Sequence, residues 1–92
     1  MRATARQKRT FRDFHEMKLF SRVVAVRTPV GKWRLFGLCR NTEAAVYVEA
    51  ARGGVREWSG LNYLADFCLS IGVELWEVHS KKPRNAGFSL PE

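Results

Sequence analysis

The stretch "RVVAVRTPVGKWRLFGLCR", Arg22–Arg40, decides the fold. It holds two runs rich in β-branched and aromatic residues, separated by Thr28, Pro29, Val30 and Gly31, and that pattern predicts a β-hairpin. Downstream, "AAVYVEAARGGVREWS", Ala44–Ser59, repeats the design. Gly53-Gly54 sits at the turn between Val46–Ala51 and Val55–Ser59, and "NTE" at 41–43 supplies a turn between the two hairpins. The expectation is a four-stranded antiparallel meander.

The next segment changes period. Leu61, Leu64, Ala65, Cys68 and Ile71 recur at helical spacing, with Ser59 placed as N-cap and Gly72 where a left-handed C-terminal residue is wanted. Asn62, Asp66 and Ser70 mark the wet side of this helix, with Tyr63 and Phe67 at its margin. "VELWEVHS", 73–80, then reads as a fifth strand. Upstream, Thr10 with Asp13 resembles a helix start, and Phe11, Phe14 and Met17 predict a short helix over about residues 11–18.

The fold class expected is α+β: a four- to five-stranded, mainly antiparallel sheet, a C-terminal helix on one face and a short N-terminal helix. The second sheet face is left to the N-terminal helix, a partner or water. Residues 10–80 form the single domain, residues 1–9 a flexible basic arm and residues 81–92 a basic, irregular tail.

Charge divides at nearly the same places. Residues 1–12 carry five bases and no acid, residues 13–80 eight of each, and residues 81–92 three bases against Glu92. The net charge of +7 therefore belongs to the ends of the chain, around a body that is neutral in sum. No run of about eighteen uncharged apolar residues occurs, and "FRDFHEMKLF" is too charged for a secretory signal. A cytoplasmic protein without a membrane partner is expected. Cys39 and Cys68 lack further ligands at metal spacing and read as small buried hydrophobes.

Catalysis has little support. His15 has Asp13 and Glu16 near it in sequence, but neither stands three or four residues away on a helix. Glu74 and Glu77, in a strand at odd spacing, point to opposite faces. Ser59 lacks a nucleophile elbow, and Gly53-Gly54 precedes a strand rather than a helix. A non-enzymatic protein with no catalytic residue, cofactor or metal ligand is expected.

Binding is the remaining class. Arg6, Lys8, Arg9 and Arg12 are suited to phosphates, since a basic arm gains affinity by releasing counterions from nucleic acid. Arg34, Tyr47, Arg56 and Trp58, with Phe36, form a contact face if they share one side of the sheet, where bases could stack. Alternating aromatics are more often core. The partner expected is nucleic acid or a nucleoprotein complex. The alternatives are a host protein, anchored by Tyr63, Phe67, Trp58 or Trp76, and a homodimer formed through an exposed edge strand.

The segment "REWSGLNYLADFCLSIGVELWEV", 56–78, resembles the closing helix-and-strand unit of small accessory proteins of plasmids, integrative elements and phages. The resemblance implies a mobile-element setting, in which short proteins regulate DNA transactions or inhibit host defences, as anti-CRISPR proteins do by binding a surveillance complex. It assigns no role to any individual residue.

Overall fold

A computed structural model describes residues 2–40 and 42–79 of the chain. The elements are β1 (Arg2–Arg6), α1 (Lys8–Glu16), β2 (Phe20–Arg27), β3 (Trp33–Cys39), β4 (Ala44–Val48), α2 (Leu61–Ser70) and β5 (Glu77–His79). They form an α+β domain with one five-stranded sheet of order β1-β4-β3-β2-β5. The central hairpin forms as its sequence predicts, with Arg27 opposite Trp33 and the turn closed by Gly31 N–H to Thr28 O at 3.0 Å and Lys32 N–H to Thr28 Oγ1 at 3.1 Å.

The sheet is mixed rather than mainly antiparallel. β3 runs against β2 and β4, while β1 pairs in parallel with β4 and β5 in parallel with β2. The second hairpin is reduced to one bridge, Glu49 with Val55, with Ala50 N–H to Gly54 O at 2.9 Å and Arg56 N–H to Val48 O at 2.8 Å. The chain then pairs at Trp58 with Trp33 of β3, so residues 55–58 add no strand of their own.

Of the residues read as a flexible arm, Arg2–Arg6 form β1 and Lys8 and Arg9 begin α1. Arg2–Arg6 lie in register with Ala44–Val48, and the first turn of α1 follows at once. Backbone pairing at a sheet edge needs no large apolar side chain, so "RATAR" carried no periodic signal. α1 begins at Lys8 rather than near residue 11, with Gln7 at the N-cap and no side-chain cap bond. The tail expected at 81–92 lies outside the described residues.

Both helices lie on the same face. Phe11 of α1 and Leu64, Phe67 and Cys68 of α2 bury against Val23, Ala25, Leu35, Val46 and Val48. β1-α1-β2 and β4-α2-β5 are thus two crossovers of one hand, each stepping over two strands. α2 is not terminal, because β5 follows it. Its N-cap is Gly60, not Ser59, and Phe67 is buried while Ala65 is exposed, because the Phe67 ring meets Trp58 at a centroid distance of 5.0 Å. Its end matches expectation: Gly72 has φ +78°, Val73 N–H reaches Cys68 O at 2.9 Å and Gly72 N–H reaches Leu69 O at 3.2 Å. Strand geometry then resumes only at Glu77, so Glu74 lies outside β5.

The opposite sheet face carries a smaller apolar cluster, Val24, Phe36, Leu38 and Ala45, with Tyr47 edge-on to Phe36 at 6.3 Å. Among the described residues no helix crosses it. Two ion pairs flank it: Arg22 with Glu77, and Arg34 with Glu57.

Candidate functional site at the basic end of the domain

Topology sorts the charges that are balanced along the sequence. β1, β2, β4 and β5 all run in one direction, so their carboxyl ends, the β2–β3 turn, the 49–58 loop and the N-termini of both helices gather at one end of the domain. Arg6 pairs with Val48, Glu49 N–H binds Arg6 O, and Trp58 pairs with Trp33 opposite Arg27, which ties these segments into adjacent rows.

Among the described residues that end carries Arg6, Lys8, Arg9, Arg27, Lys32, Arg34, Arg52 and Arg56 against Glu49 and Glu57. The other end holds Arg2, Lys18, Arg22 and Arg40 against Glu16, Glu43, Glu74 and Glu77. Neither helix has an acidic residue in its first turn or a side-chain cap, so two positive dipole ends add to the same potential.

Within this end the expected contact residues separate. Arg6 and Arg56 lie on the helix side by strand alternation, since Arg6 pairs with core-facing Val48 and Arg56 shares parity with Trp58. Lys8, one turn before Phe11 on the core-facing side of α1, joins them. Arg9 is exposed on the first turn.

The rest are placed elsewhere. Arg12 faces Asp13 and Glu16 at 3.5 and 3.9 Å. Arg34 and Tyr47 lie on the opposite sheet face, with Arg34 Nε 2.9 Å from Glu57 Oε2. Trp58 is 5 % exposed and Phe36 1 %, on different faces, so they do not form a common platform for bases.

The helix side holds a further arrangement. The Arg56 guanidinium is 4.9 Å from the centroid of Trp58 and 4.9 Å from that of Phe67, and Lys8 Nζ is 5.5 Å from the same Phe67 centroid. The two charges therefore stand within roughly 10 Å of each other, about one Debye length at 0.1 M salt. Neither has a carboxylate partner among the described residues.

Sequence reasoning missed Arg27, Lys32 and Arg52, and it gave Phe67 only the role of an anchor for a protein partner. Alternate turns of a meander fall at opposite ends, which was enough to group Arg27 and Lys32 with Arg52 and Arg56. Joining the N-terminal bases to them needed the parallel β1–β4 pairing, which leaves no local trace.

Of the two histidines, His79 Nε2 lies 3.4 Å from Glu77 Oε1, and Glu77 is held by Arg22 through Nε at 2.7 Å and through Nη2. Cys68 is fully buried, and burial pushes its thiol up to about 11. Among the described residues no group of three or more His, Cys, Asp or Glu is disposed to hold a metal ion, and no helix is long and apolar enough to cross a membrane. No protein-family model matches the chain, and no curated protein or solved structure matches it either.

Proposed function

We propose that the chain is a non-enzymatic binding protein that engages the phosphate backbone of nucleic acid, free or within a nucleoprotein complex, through its basic end. The observation that supports this is the concentration, among the described residues, of eight cations against two carboxylates where the strand carboxyl ends and helix N-termini meet. A field of that sign, focused at one end, attracts a polyanion. Trp33, Phe36 and Trp58 are buried, so the sheet offers no stacking platform and the reading is of backbone contact.

Titration of a fluorescent duplex across a salt series tests it. Reversing Arg27, Lys32 and Arg52 to Glu should abolish binding and flatten the salt dependence, by about 0.9 in log–log slope for each phosphate no longer neutralised. Lys18 and Arg40, reversed together at the other end, should cost far less. Equal losses from the two sets would mean that overall charge, not this end, holds the polymer.

A second reading is favoured by the far end, where Met17, Leu19, Leu69 and Leu75 are 66, 40, 75 and 88 % exposed. There the chain contacts a protein, as an occluding inhibitor from a mobile element would. Leu69→Ser with Leu75→Ser should then release a partner that nuclease treatment leaves bound.

A further inference from the structure

Strand alternation sends Glu57 across the sheet to Arg34, at 2.9 Å, and leaves its neighbour Arg56 on the helix side with no acid partner among the described residues. Arg12, Arg22 and Arg34 each have a carboxylate within 4 Å. Arg56 has two aromatic rings instead, and a second cation, Lys8, from another element converges on one of them.

We infer that Arg56 and Lys8 form a seat for one phosphate group, floored by Phe67 and Trp58. The planar guanidinium is positioned by rings tilted 56° to each other, which hold it by their faces and do not consume its N–H donors. Those donors match two phosphate oxygens, as a fork that Lys cannot copy. Lys8 supplies a mobile point charge from α1. A doubly charged anion between them removes the repulsion that the fold leaves uncompensated among the described residues. The biological ligand rests on the nucleic-acid reading above, whereas the phosphate chemistry does not.

The test uses the full chain and inorganic phosphate, at constant ionic strength with chloride as the control anion. Indole fluorescence reports on Trp58 and phosphorus NMR line width on the anion. Wild type should show saturable, phosphate-specific changes. Arg56→Gln and Lys8→Gln should each weaken them about tenfold, as removal of one charge-assisted hydrogen bond does. Arg56→Lys should recover only part, and Lys32→Gln, which lowers the same field without touching the seat, should cost less than either. Thermal melts establish that each variant is folded.

The same variants are titrated with a short duplex, where Arg56→Gln should again cost more than Lys32→Gln. The seat is overturned if phosphate acts no differently from chloride, or if Arg56→Gln matches Lys32→Gln in both assays. Saturable phosphate binding without duplex binding would keep the seat and remove the nucleic-acid reading. Duplex binding with no phosphate-specific change would do the reverse.

Discussion

Phe20 stands tip-first on Gly37: a Cβ at residue 37 would lie 2.5 Å from the ring Cζ and 2.6 Å from both Cε atoms. The ring is held there by Phe11 at 4.9 Å and Phe14 at 6.2 Å, so it has little room to retreat. Gly37→Ala should therefore destabilise the domain by about 1–3 kcal/mol through overpacking. Shortening the ring with Phe20→Leu should make the two changes non-additive in a double-mutant cycle of denaturant melts. Additive losses would mean that the contact is not what keeps residue 37 a glycine.

Lys18 occupies the same place after α1 that Gly72 occupies after α2. Leu19 N–H reaches Phe14 O at 3.0 Å and Lys18 N–H reaches His15 O at 2.9 Å, with Lys18 at φ 59°. Lys18→Gly should raise stability by about 1 kcal/mol, since a side chain in left-handed geometry costs roughly that much. Gly72→Ala should lower it similarly, by strain alone, because an added Cβ there meets nothing within 4 Å.

The Glu77 carboxyl is lowered from 4.5 to about 2, first by the Arg22 hydrogen bond and further by His79 and Coulomb attraction, against burial, which raises it. A carboxylate depressed in the fold stabilises it above the unfolded value, and that contribution disappears as pH falls from about 4.5 towards 2. Glu77 is 44 % exposed, so solvent screening keeps the effect to about 1 kcal/mol or less. Glu77→Gln should remove that part of the acid dependence and loosen the three-residue β5 first, as amide exchange would report.

Cys68 should resist thiol reagents at pH 8 until the domain unfolds, since burial both shields the sulfur and disfavours the thiolate. Labelling at a rate independent of denaturant would contradict that.

Deleting residues 1–7 should lower the melting temperature rather than trim a dispensable arm, because β4 loses its parallel neighbour. Arg6→Gln with Lys8→Gln and Arg9→Gln keeps the strand, so it tests the charges separately. A truncated chain that melts like wild type would mean that β1 contributes no stability.

The hairpin Phe20–Cys39, helix α2 and its Gly72 ending were legible because each is carried by local chemistry: β-branched runs about a Thr-Pro-Val-Gly turn, a helical apolar stripe and a left-handed terminal residue. β1 was not legible, because its order comes from hydrogen bonds to a strand some forty residues away. For Trp58 the sequence left a platform open while favouring core, and the packing of Phe67 against it placed it inside. The charge census was right in total and misplaced in space. Arg27, Lys32 and Arg52 belong with the N-terminal bases, and Arg34 and Arg12 are occupied by their own acids.

By itself the sequence determined an α+β domain, the turn positions, most of the apolar side chains that fill the core and the excess of positive charge. Which strands run parallel, that both helices share one face, and that the cations collect at a single end were decided by tertiary structure. Local propensity acts over a few residues, whereas strand direction and charge segregation depend on pairings between distant segments, whose partners no short stretch of sequence specifies.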